Sequence, residues 1–220
     1  MVFRRFLRDE RAQSVVEFGL ALPFLVLMSV GTFAVGMIID RHLTLGQVVR
    51  NGGNMYARGV DFSSTQNKQF IIDAATGLDL QLTSGKSAVY FTLLTRVPDD
   101  AKCSSGYSQR DCNNNGRIVI AQRYKIGNTT ATGMGSRLQS GQNATQFVDK
   151  SGNAASEGDH LNHFDLVEAW ADNAPSALTN TTTGLQENEL IYVVEIVHKP
   201  TTISFQGIFA PEYMYARAFF

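Results

Sequence analysis

The sequence predicts an α+β protein: a long N-terminal transmembrane helix followed by a small domain with one or two short helices and an antiparallel sheet of three or four strands. Three observations carry this. One uncharged apolar run, Phe18–Ile39, lies near the N-terminus. Beyond it the apolar residues keep a helical spacing to about residue 60, and then give way to runs rich in β-branched and aromatic residues. Polar stretches rich in Gly, Asn and Ser separate those runs, as loops separate the strands of a sheet.

The first element is fixed by length. At about 1.5 Å per residue, Phe18–Ile39 makes a helix of about 33 Å, enough to cross a hydrocarbon core of about 30 Å. The run is longer than the apolar core of a secretory signal, and the Gly36-Met37-Ile38-Ile39-Asp40 that ends it is a poor cleavage sequence. Pro23 lies inside it and is expected to bend the helix. Thr32 and Gly36 stand at the small-xxx-small spacing that lets helices approach closely. Arg4, Arg5, Arg8 and Arg11 precede the run, whereas only Asp40 and Arg41 closely follow it. The positive-inside rule then places the rest of the chain outside the cytoplasm.

The stretch "HLTLGQVVRNGGNMYARGV" (42–60) continues the helix, with Leu45, Val48, Val49, Met55 and Tyr56 at helical spacing and Gly52-Gly53 as a weak point. "NKQFIIDAATGL" (67–78) predicts a short helix with Phe70, Ile71, Ala74 and Leu78 on one face and Gly77 near its end. "SAVYFTLLTRV" (87–97), "RIVIAQRYKIG" (117–127) and "ELIYVVEIVHK" (189–199) read as strands, the first two forming an antiparallel hairpin; "EYMYARAFF" (212–220) is a candidate fourth. Residues 127–160 are polar and are expected to form a surface insertion or an interaction loop, and "HFDLVEAWADNA" (163–174) a short helix carrying Trp170, the sole tryptophan. The expected domains are a basic cytoplasmic leader (1–12), the helix and its extension (13–60) and an extracytoplasmic α+β domain (61–220).

Composition excludes several functions. The formal net charge is −1 and no basic block follows residue 41, so a nucleic-acid partner is not expected. No nucleotide-binding, hydrolase or zinc-protease motif is present, and no nucleophile–base pair shares a motif, so no enzyme activity and no cofactor are expected. His160 and His163 read as exposed histidines at a helix start. "DKSGNAASEGD" (149–159) spaces oxygen ligands like a calcium loop, but Ala154 and His160 stand where Gly and Glu are needed, and no metal site is assigned. Three sequons, at Asn128, Asn143 and Asn180, carry no assigned function. Cys103 and Cys112, the only cysteines, are expected to form a disulfide in an exported domain, which stabilises the fold by about 2–3 kcal/mol in the chain-entropy view.

One residue stands out. Glu17 lies at the mouth of the apolar run, followed by Phe18, and an ionisable residue there is a functional hypothesis in itself. The surrounding "RDERAQSVVEFGLALPFLVLMSVGTFAVG" (8–36) resembles the N-terminus of TadE-like proteins, pseudopilins of the tight-adherence (Tad, Flp) type IV pilus system. The most informative parts are Arg8-Asp9-Glu10-Arg11, Val16-Glu17-Phe18 and Leu22-Pro23. The resemblance implies cleavage by a prepilin peptidase between Ala12 and Gln13, with Ala12 where the family usually has glycine. Glu17 would become the fifth residue of the mature chain and meet the N-terminal amine of a neighbouring subunit. It also implies a structural role in pilus assembly and surface adhesion, with other pilins and assembly proteins as partners. Residence in the bacterial inner membrane follows, with the domain periplasmic or extracellular and the chain part of the pilus. The rival reading is an uncleaved, membrane-anchored extracytoplasmic binding module that joins no filament.

Overall fold

The computed structural model describes residues 10–105, 108–112, 114–140, 168–169, 189–200 and 212–220. The chain divides into two compact units; the described part of the first is the helix as far as Arg41, and the second holds the described residues from His42 onward. The architecture is α+β, as expected: one long helix, one short helix and a four-stranded antiparallel sheet.

Helix α1 spans Glu10–Ala57, 48 residues, with Pro23 inside it. Its apolar part carries no charge that would favour water over burial. Thr32 turns its hydroxyl back to the Met28 carbonyl (2.9 Å), which satisfies a polar group on an otherwise apolar surface. The helix ends where Gly59 adopts φ +82°. There the Gly59 N–H donates to the Tyr56 carbonyl (2.9 Å) and the Val60 N–H to that of Met55 (3.1 Å). This pair of bonds is the Schellman stop, and glycine is the residue that enters its left-handed position without a Cβ penalty.

Helix α2 (Thr65–Ala74) follows a short turn. The Asp61 carboxylate organises that turn: it accepts the Ser63 N–H (2.7 Å) and hydroxyl (2.6 Å) and the Tyr124 hydroxyl (3.0 Å). These bonds, those of Ser63 first, hold the Asp61 carboxyl below the usual range. The buried face of this region is Ile71, Ala75 and Leu78. Phe70 and Ala74, expected on that face, are exposed. The inward stripe keeps the i, i+4, i+7 spacing of Ile71, Ala75 and Leu78, which turns Phe70 and Ala74 to the outer side.

The sheet has the order β4-β1-β7-β8, with β1 Ser87–Arg96, β4 Ile118–Gly127, β7 Leu190–His198 and β8 Met214–Phe219, and all neighbours antiparallel. β1 and β4 form the expected hairpin, with a bulge at Leu93/Leu94 opposite Gln122 and Ile120. Between them an extra hairpin pairs β2 (Lys102–Ser105) with β3 (Ser108–Asp111). A two-residue pair joins β5 (Gln139–Ser140) to β6 (Glu168–Ala169). Residues 168–169 thus form a strand where the periodicity predicts helix; the rest of 163–174, with His163 and Trp170, lies outside the described residues, as do 141–160.

Both faces of the sheet are covered. Against one pack α1 and α2: Leu45, Val48, Val49 and Tyr56 of α1 are buried, with Ile71 and Phe62. Fully burying a side chain of the Leu or Val type contributes about 1.5–3 kcal/mol. Phe62 stacks on Phe91 (4.0 Å between centroids), and Tyr56 meets Phe91, Tyr124 and Tyr192 edge to face. Gly52 and Gly53 are part of this interface rather than a weak point. A Cβ on Gly52 would lie 2.9 Å from the Phe91 ring, and one on Gly53 1.8 Å from the Phe220 ring. The other face is covered by residues 128–138 of the polar stretch, whose Met134 and Leu138 are buried against Ala88, Tyr90, Leu94, Ile120 and Val193.

Candidate functional site

The site with the clearest functional chemistry is the N-terminal part of α1. Its large apolar residues are exposed on every side: Val15 and Phe24 are each 71% exposed, although they stand on opposite sides of the helix. A helix that is apolar all round belongs in a dry medium. Among the described residues this one helix is long and apolar enough to cross a membrane. Glu17 and Phe18 are both exposed at its N-terminal end, two residues beyond Val15. The backbone at Ala12 and Gln13 is already helical. Glu17 is therefore one helical turn beyond the expected cut, with its carboxylate where apolar surface begins.

The cysteine positions fall on the β2–β3 hairpin. Cys103 is paired in register with Arg110, and the Cys112 N–H donates to the Ala101 carbonyl (3.0 Å). Cys112 is buried, and no cysteine among the described residues is free. The hairpin is a separate feature from Glu17, which belongs to the other compact unit.

The structure also assembles a polar cluster that the sequence reading did not single out. Glu195, 0% exposed on β7, accepts the Tyr215 hydroxyl (2.6 Å), the Arg137 backbone N–H (3.1 Å) and the Ser136 hydroxyl. Arg123, also buried, donates to the Thr92 hydroxyl (3.1 Å) and the Leu138 carbonyl (3.3 Å). Tyr90 donates to the Met134 carbonyl (2.8 Å). Burial pushes the Tyr90 hydroxyl up to about 12 against the opposing charge of Arg123. Burial, then the neighbouring Glu195, raises that of Tyr215. The signal was present in "VVEIV": a lone Glu inside a run apolar at both parities marks a strand buried on both faces, where a carboxyl group must be hydrogen-bonded. The arrangement ties the 128–138 segment to the sheet.

A buried Ser87–His198 pair (2.8 Å) does not activate a nucleophile. Ser87 directs its hydroxyl proton to the Leu78 carbonyl, so the imidazole Nδ1 must donate to the serine, the reverse of what a general base does.

Residues 12–53 match the family model described as TadE-like protein. No curated protein and no solved structure matches the chain. The matched segment takes in the apolar span, Glu17 and the sheet-facing stripe of α1 as far as Gly53. It does not include the sheet. The TadE-like family is of a structural, non-enzymatic, pilus-associated kind. Over residues 12–53, a minor part of its length, the chain is similar to TadE-like proteins.

Proposed function

We propose that the protein is a minor pilin or pseudopilin of a Tad-type pilus, a structural component anchored in the bacterial inner membrane by α1. The observation that carries the proposal is the TadE-like match falling on a helix exposed and apolar on all sides, with Glu17 at its N-terminal end. In this reading a prepilin peptidase removes residues 1–12, Gln13 becomes the N-terminus, and residues 13–60 pack with helices of other pilins and assembly proteins. Residues 61–220 form the domain beyond the membrane, stapled by a Cys103–Cys112 disulfide.

Electrostatics gives Glu17 its role. A carboxylate taken into hydrocarbon is costly, and so is the ammonium of a new N-terminus. Placed together between adjacent subunits each offsets the other's desolvation, and removing one leaves the other stranded at a cost of about 3–5 kcal/mol. The pair thereby sets the axial register of neighbouring helices, while Phe18 beside it packs in the same layer.

The test is Glu17→Gln in the native host. The substitution keeps shape and hydrogen bonding but removes the charge. The expected result is normal membrane insertion with loss of assembled pili. Unchanged piliation would refute the assignment and favour the anchored binding module. Intact mass of the native protein adds an independent measurement: the expected product starts at Gln13 and is lighter by the two hydrogens of a disulfide.

A further inference from the structure

We draw no further inference here: the strongest candidate, the side-chain pair of buried Arg123 and half-buried Lys125 on the edge strand β4 of the sheet, carries nothing because nothing among the described residues shows what anionic group covers it.

Discussion

Replacing Glu195 by alanine is the sharpest test of how the polar segment is held to the sheet. The carboxyl group is fully buried and accepts three hydrogen bonds, from the Tyr215 hydroxyl, the Arg137 N–H and the Ser136 hydroxyl. Removing it strands three donors. A buried donor left without an acceptor costs about 1–3 kcal/mol, less where water reaches it. Ser136 and Tyr215 are partly exposed and Arg137 is exposed, so the lower end applies to each, and the sum is about 3 kcal/mol. For a domain of this size that is about 6–12 °C in Tm. The assay is thermal unfolding of the full chain in detergent, followed by circular dichroism. A double-mutant cycle with Tyr215→Phe should show coupling of about 1 kcal/mol, since the two share one bond. A Glu195→Ala protein within about 3 °C of wild type would refute the reasoning, because the 128–138 segment would then owe its position to Met134 and Leu138 alone.

Two further outcomes follow from the core. Tyr90 is raised to about 12 by burial, and burial also raises Tyr56 and Tyr215. Each folded value lies above the unfolded value near 10, so the stability they contribute is complete below pH 10 and is lost as pH rises from 10 toward 12. Absorbance titration at alkaline pH should show these tyrosines ionising together with unfolding, and Tyr90→Phe should flatten the stability slope above pH 10. Gly52→Leu places a side chain where even a Cβ lies 2.9 Å from Phe91, itself stacked on Phe62. Better helix propensity contributes about 1 kcal/mol, but overpacking a closed core costs about 1–3 kcal/mol or more, so denaturant unfolding should show a net loss.

Much of the fold was legible because it rests on periodicity. The span is readable from the missing charges of Phe18–Ile39, and β1, β4, β7 and β8 from β-branched and aromatic runs. What stayed hidden depends on long-range contact. Nothing local in Gly52-Gly53 distinguishes a flaw in a helix from a surface pressed on Phe91 and Phe220. Phe70 was misplaced because the buried stripe of this region runs through Ile71, Ala75 and Leu78, and the apolar pair Phe70-Ile71 does not by itself say which of the two faces inward. The 128–138 segment reads as loop since its two anchors, Met134 and Leu138, are widely spaced among polar residues. Of the candidate site, Glu17 was legible because a charge beside an apolar run is conspicuous.

The extent of the TadE-like match has a physical reading. It runs from Ala12 through the apolar span and stops at Gly53, the last glycine of the stripe that faces the sheet. Two demands are met within those residues. The span asks for apolar side chains and tolerates one carboxylate at its end; the stripe asks for Leu45, Val48 and Val49 to be apolar and for positions 52 and 53 to be small. Neither demand fixes which sheet is laid on the stripe, because a surface of aliphatic side chains and bare backbone accepts aromatic rings such as Phe91 and Phe220 from many strand arrangements. Substitutions in α1 should therefore separate into two groups. Charges introduced at Phe24 or Met28 should reduce membrane insertion while leaving the unfolding of the domain unchanged; polar residues at Val48 or Val49 should destabilise the domain by about 2–4 kcal/mol and leave insertion intact. Measuring both readouts on each variant decides the matter, and a Met28→Lys protein that inserts normally would remove the basis for reading the N-terminal part of α1 as a span.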